Sequence, residues 1–345
     1  MAYTTIDKPS DYFNTKLYTG NGGTQAISGI GFAPNWVWIK SRTSSRVHCL
    51  FDTVRGATKR LQTNEADAEY TTSNSLTAFN SDGFSLGSYN QSNEGSANFV
   101  SWNWKAGTSF TNDASSTGIG SIDSAGSVNQ DAGFSIVSYT GNSPTATTVK
   151  HGLNSVPQMI IFKRLVGVGN FTVYHQSLGN TKGIFLTTTA ASDTSAGYFN
   201  NTTPTSSVFS VANSGDTNSN GNAMIAYCFA EKKGYSKFGS YTGNGNADGT
   251  FVYTGFKPAW LMVKRTDGTD YWYMYDNKRD VDNVIEHKLE ANDSAAEYTS
   301  VDWLDFTSNG FKWRYTGGGV NASGGSFIYM AFAENPFVTS TGVPA

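Results

Sequence analysis

A chain of 345 residues with net charge −3 and a pI near 5.8 has material for two or three cores, and its lack of a basic stripe sets nucleic acid aside as a partner. Glycine is abundant at 37 residues, aromatic residues reach 14%, and charged residues are held to 15% against the ~25% of ordinary domains. That mixture points to short strands and many turns rather than helices, and no apolar run of about 18 residues is present to cross a membrane.

In chain order, residues 1–15 ("MAYTTIDKPSDYFNT") lack the charged and apolar segments of a signal peptide, so export by a leader is not expected. They precede a repeated frame and are expected to form an N-terminal arm that anchors the protein to a larger particle. The frame opens with "YTGN", which occurs at Tyr18, Tyr139 and Tyr241. Each copy reads as a strand end running into a turn, with Gly–Asn supplying a positive φ. A proline follows each (Pro34, Pro157, Pro258), then an apolar strand: Trp36 to Ile39, Met159 to Phe162, Trp260 to Val263. Both faces of that strand are apolar, so both are covered. Further landmarks keep the same spacing from the prolines without a gap. They are Lys40, Lys163 and Lys264; Phe51, Tyr174 and Tyr275; Asp52, His175 and Asp276; Arg55, Leu178 and Arg279.

Each copy continues through "SDGFSL", "SSVFSV" or "SNGFKW", centred on Phe84, Phe209 and Phe311. It closes on an alternating strand with large residues on one face (Val100, Trp102, Trp104; Ile225, Tyr227, Phe229; Ile328, Met330, Phe332) and small ones on the other. Such a period is too long for a solenoid and predicts a small domain per copy. The expected fold is all-β: three tandem β-sandwich repeats of about 95 residues at 16–107, 134–233 and 234–337, with six or seven strands each. The Gly/Ser-rich stretch 108–133 is expected as a linker or an extended hairpin, units two and three as rigidly joined at "EKKGYSKFGS", and 338–345 as a tail.

The strings "SVNQDAGFSIVSYTGN", "CFAEKKGYSKFGSYTGNGNADGTFVYTGFKPAW" and "MAFAENPF" resemble an uncharacterised domain family of tailed-phage virion and tail proteins. The opening "TTIDKPSDYFNTKLYTGNG" is similar to the usual start of such proteins, and the resemblance covers nearly the whole chain. It implies a virion structural protein with a jelly-roll or lectin-like fold, and it brings no catalytic residues. Unit two departs from the pattern, with His175 and Leu178 where the other units carry Asp and Arg.

The charged constellation Asp52/Arg55, Asp276/Arg279 and the three lysines is shared between units, which is expected of ion pairs copied with a fold rather than of an active site. His48, His151, His175 and His287 fall at unrelated positions without metal-ligand spacing, and "TGNGNADG" reads as a turn. Cys49 and Cys228 stand where other units carry no sulfur, so inert thiols are expected. No catalytic residue, metal site or cofactor is expected, and the protein reads as a non-enzyme. Aromatics found in one unit only are not required by the fold. Unit three supplies Tyr271 (Val47 and Asn170 elsewhere), Tyr315 (Ser88 and Asn213 elsewhere) and Trp303, candidates for stacking on host-surface glycans. The functional expectation is a tail fibre or spike component on the virion, made in the host cytoplasm. It would be homo-oligomeric, bound to other tail or capsid proteins, and in contact with a host glycan or protein. A capsid decoration or cement protein is the alternative.

Overall fold

The computed structural model describes residues 3–144 and 146–344. Unit one holds β1 (Phe13–Thr19), β2 (Gln25–Ser28), β3 (Trp36–Ser41), β4 (Cys49–Asp52), β5 (Lys59–Arg60), β6 (Tyr70–Thr71), β7 (Leu76–Asn80), β8 (Gly83–Leu86) and β9 (Asn98–Trp104). Next come β10 (Thr108–Asn112), β11 (Ser124–Asn129), β12 (Phe134–Thr140), β13 (Thr147–Lys150), β14 (Met159–Arg164), β15 (Thr172–His175), β16 (Lys182–Phe185), β17 (Asp193–Thr194), β18 (Val208–Val211) and β19 (Ala223–Phe229). Unit three holds β20 (Ser236–Thr242), β21 (Phe251–Tyr253), β22 (Phe256–Arg265), β23 (Trp272–Asp276), β24 (Leu289–Glu290), β25 (Leu304–Thr307), β26 (Gly310–Trp313) and β27 (Ser326–Pro336). Helices are single turns: α1 (Asn90–Asn93), α2 (Ala114–Thr117), α3 (Ala196–Phe199), α4 (Gly215–Asn218) and α5 (Gly318–Asn321). The protein is all-β.

One strand order recurs. The larger sheets run β1-β9-β3-β4, then β12-β19-β14-β15-β16, then β20-β27-β22-β23-β24, all antiparallel. A smaller sheet accompanies each: β2-β8-β7, β13-β18 and β21-β26-β25. Segment 108–133 is a hairpin, β10 on β11, whose second strand pairs with β12 and widens the middle sheet to eight strands.

The alternation of β3, β14 and β22 sends successive side chains to two different cores. Val37 and Ile39, Ile160 and Phe162, and Leu261 and Val263 pack against their own smaller sheets. Trp36 and Trp38, Met159 and Ile161, and Trp260 and Met262 face the other way, into one core shared by all three units. The large face of every closing strand joins them. Aromatic rings touch across each pair of units: Trp36 on Tyr227 at 4.7 Å, Trp104 on Trp260 at 5.6 Å, and Phe229 on Phe332 at 6.2 Å. The sequence implies a double-sided strand and a sandwich per unit, but not this fourth core between the units.

The repeated YTGN belongs to a clamp at one end of each sandwich. Tyr18, Tyr139 and Tyr241 donate from their hydroxyls to the carbonyls of Ser92, Thr217 and Val320, at 2.7, 2.5 and 2.6 Å. The next residue in each case is a fully buried asparagine, Asn93, Asn218 or Asn321. Its side-chain oxygen accepts from the backbone N–H of Asn21, Asn142 or Asn244 at 2.9–3.0 Å. The glycine of the motif is needed for contact and not, as the turn reading supposed, for a positive φ. A Cβ on Gly20, Gly141 or Gly243 would sit 2.2–2.3 Å from the carbonyl oxygen of Glu94, Ser219 or Ala322.

Between units the bonds run in one cyclic sense. The N–H groups of Glu69, Ser192 and Glu297 donate to the carbonyls of Leu165, Thr266 and Arg42, at 3.0, 2.9 and 2.9 Å. Beside each, a fully buried lysine reaches back across the same boundary: Lys163 to the Ala66 carbonyl (3.0 Å), Lys264 to Thr189 (3.1 Å), Lys40 to Ser294 (3.2 Å). Unit one thus latches to two, two to three, and three to one, and the ring closes. Each ammonium also binds a carbonyl of its own unit (Gly169, Arg265 and Ser41), and among the described residues none pairs with a carboxylate. Burial pulls all three amines down to about 8.

The Asp/Arg pairs sit on the same boundaries. Arg55 bonds Asp52 at 2.5 Å and Glu69 at 3.1 Å; Arg279 bonds Asp276 at 2.6 Å and Glu297 at 2.9 Å. A donor from the neighbouring closing strand completes each: Tyr227 Oη to Asp52 at 2.7 Å, and Trp102 Nε1 to Asp276 at 3.0 Å. The corresponding closing-strand residue in unit three is Met330, which has nothing to donate. Unit two matches it with His175, Leu178 and Ser192 in place of Asp, Arg and Glu, and His175 Nε2 meets the Tyr329 carbonyl at 3.2 Å. The departure seen in the sequence is therefore a coordinated exchange of a charged triad for a neutral one.

The N-terminal arm is packed rather than free. Ile6 and Phe13 lie in the shared core, Tyr3 donates to the Gly255 carbonyl at 2.8 Å, and Asp7 accepts from the Ser340 N–H at 2.6 Å. Deleting it removes core, so such a deletion is not a clean test of anchoring.

Two predictions follow from the boundaries. Arg55→Leu alone strands the buried Asp52 and should cost about 3–5 kcal/mol in denaturant unfolding. Adding Asp52→His, Glu69→Ser and Tyr227→Met, the solution used elsewhere in the ring, should recover more than half of that loss; no recovery would show that the exchange is not coordinated. For the lysines, the folded amine titrates near 8 and the unfolded one near 10.5, so the unfolded chain binds more protons in between and stability rises with pH there. The rise is read between pH 8 and 9, where the buried thiols of Cys49, pushed up by burial to about 11, and Cys228, pushed up further, only begin to oppose it as the unfolded thiols ionise near 9. It should amount to about 1 kcal/mol per lysine, and Lys163→Met should lose roughly a third of it.

Candidate binding surface

The aromatic residues singled out in unit three do come together, around β23, β25 and β26, the counterparts of β4, β7 and β8 in unit one. Tyr271 precedes β23, Trp303 precedes β25 and Tyr315 follows β26. Trp303 packs on Tyr315 with centroids 4.5 Å apart and lies over Tyr273 at 6.3 Å, while Tyr271 touches Tyr273 at 6.3 Å. Their exposure differs sharply. Tyr315 is 37% exposed and Tyr271 half-buried, but Trp303 is only 7% exposed and its indole N–H already donates to the Glu286 carbonyl at 3.1 Å. A ring with no free face cannot stack on a sugar, so Trp303 organises the cluster and does not offer a platform.

What Trp303 surrounds is a cation of the chain itself. Lys288 Nζ lies 4.4 Å from the Tyr273 ring, 4.2 Å from Tyr298 and 4.6 Å from Trp303, and it pairs with Glu290 at 2.7 Å. Burial raises the Glu290 carboxyl, with Lys288 opposing, and the Asp293 and Glu290 carboxylates beside Tyr271 raise its phenol. The cage is occupied, which makes it a strut linking β23, β24 and the segment before β25.

Other chemistry-bearing side chains are engaged in the fold. His48 accepts from Trp38 Nε1 at 2.8 Å, so its Nε2 carries the proton and donates to the Glu290 carbonyl at 2.9 Å, another bond between units one and three. His151 meets the Thr205 carbonyl, and His287 pairs with Asp280. Cys49 and Cys228 are buried free thiols. Asp248 of the "TGNGNADG" turn binds Lys312. On the β10–β11 hairpin an open groove of about 560 Å³ carries Asp113 and Asp123, which cap α2 and its preceding turn by accepting from the Ser116 and Ala114 N–H groups.

Sequence comparison missed Phe251 and Tyr253 on β21, 47% and 53% exposed. The signal was available: Phe311 pairs with Val252 as Phe84 pairs with Ile27 and Phe209 with Val149, which sets Phe251 beside Ala26 and Thr148, and Tyr253 beside Ser28 and Lys150. The gap of variable length after YTGN hid that register.

Residues 8–336 match the family described as a domain of unknown function (DUF7483). The chain belongs to this family. The match crosses all three units and ends on the last residue of β27. No curated protein matches the chain.

The cluster yields a stability contrast. Trp303→Ala should cost about 3–5 kcal/mol because it empties a packed site, whereas Tyr315→Ala should stay within about 1 kcal/mol. Thermal unfolding of the two variants checks this, and equal losses would show that Tyr315 is also structural.

Proposed function

We propose that this protein is a non-enzymatic structural component of a tailed-phage virion, positioned on the tail as part of a fibre or spike that meets the host surface. The observation that carries this reading is the closed ring. The polar and charged side chains repeated in the units are buried in boundaries that hold the sandwiches together, which suits a component selected for rigidity. The resemblance of long sequence strings to phage virion and tail proteins supports the same reading. Among the residues that differ between units, Phe251, Tyr253 and Tyr315 lie outward, where a contact with a host would be made.

Capsid decoration is the second reading, and the threefold pattern of the latches favours it to a degree, since a ring of three similar units fits a threefold position on a shell. Immunogold labelling of purified particles, with mass-spectrometric quantification against the major shell protein, distinguishes the two. Label on the tail with few copies per particle is the expected result. Label over the shell in many copies would replace the first reading with the second, and absence from washed particles would remove both.

A further inference from the structure

The edge strand β21 carries the most exposed aromatic pair in the molecule, and the fold does not ask for it. Val252 points inward, so Phe251 and Tyr253 share the outer face. Side chains two residues apart on a strand stand about 6.5–7 Å apart on one face. Both lean over glycines: a Cβ on Gly310 would meet the Phe251 ring at 3.2 Å, and one on Gly255 would come 3.5 Å from the Tyr253 hydroxyl. Tyr3 adds a second hydroxyl 3.4 Å from that of Tyr253. The exposed Lys233 places its ammonium 4.3 Å from the Tyr3 ring and, among the described residues, pairs with no carboxylate. Rings, hydroxyls and one unneutralised cation therefore lie in a row.

We infer that this row is a binding site for an acidic glycan, an inference that rests on the host-contact reading above and names its ligand class. The apolar face of a sugar ring stacks on Phe251 and Tyr253, the Tyr253 phenol exchanges hydrogen bonds with sugar hydroxyls while that of Tyr3, whose proton is held by the Gly255 carbonyl, accepts one, and Lys233 receives the carboxylate of a uronate. Two exposed rings are far short of the ~800 Å² per partner that a stable protein interface uses, but they match the footprint of one or two sugars. The cation selects the acidic member of that class.

The test is calorimetric titration of the full chain with a hexameric oligogalacturonate and with a neutral cello-oligosaccharide of equal length. Phe251→Ala with Tyr253→Ser copies the residues of unit one, so the variant should unfold at nearly the wild-type temperature. It should bind the oligogalacturonate about tenfold more weakly or worse. Lys233→Gln should weaken the acidic ligand and leave the neutral one unchanged. The site is overturned if wild type binds neither oligosaccharide or if the double variant binds like wild type. Cell attachment abolished by protease and indifferent to periodate would also overturn it, in favour of a protein receptor, while leaving host contact intact. Absence of the chain from particles would remove the host-contact reading without altering the titration.

Discussion

No single unit can bury the large face of its own closing strand, and the rest of the structure answers that constraint. In unit one that face and its neighbours carry Trp36, Trp38, Trp102 and Trp104, all at most 1% exposed in the intact protein. Four indoles returned to water would forfeit on the order of 10–20 kcal/mol, against a net stability of about 5–15 kcal/mol for an ordinary domain. A unit cut from the ring would therefore be unstable or would aggregate through this face. Three units turned inward bury the same surface once, and a family match spanning all of them is what such mutual dependence leads one to expect.

The apolar core draws the units together but does not by itself set their register. The latches do that, because a buried ammonium or carboxylate tolerates no slippage. Lys40, Lys163 and Lys264 lose hydration when they enter the boundaries and receive carbonyls, with the Phe171 ring beside Lys163, but no carboxylate in return, so they cost stability below their folded pKa. Their contribution is specificity: a wrong neighbour, or a right one shifted by a residue, would leave a bare cation in an apolar interior. The Asp–Arg–Glu triads work the same way and depend on one donor from the adjacent unit.

Much of this was legible in the sequence, though unevenly. The spacing from proline to lysine, Asp and Arg is gapless, so the register of β3, β14 and β22 and the charged set could be read directly. The all-β class followed from composition and the double-sided strands. Two things were hidden. Alternation shows that a face is covered without showing by what, so the closing strands could not reveal that their cover was the other units. And the glycine of YTGN looks the same whether a turn needs positive φ or a carbonyl occupies the place where a Cβ would sit; only the partner, Ser219 or Ala322 from a distant loop, separates the cases. The aromatic candidates failed in part for the same reason, since Trp303 is turned inward to enclose Lys288, at the place where unit one encloses Arg60 between Tyr70 and Tyr89.

Internal repetition is therefore a sharper instrument once burial is known. A residue that varies among units and is buried has a compensating partner that varies with it: His175 with Met330, Leu178 with Ser192, Trp303 with Lys288. A residue that varies and is exposed is under no such constraint from burial: Phe251 and Tyr253 are of this kind, with the Tyr3 hydroxyl meeting that of Tyr253 at its tip. Selection on the fold alone would let those positions drift toward the small or polar residues found at Ala26, Ser28, Thr148 and Lys150. Keeping two large rings in water, on an edge strand where apolar surface invites aggregation, is a cost to the isolated protein. Such a cost persists when something outside the chain covers the rings, which places the search for a ligand on this strand rather than on the buried charges.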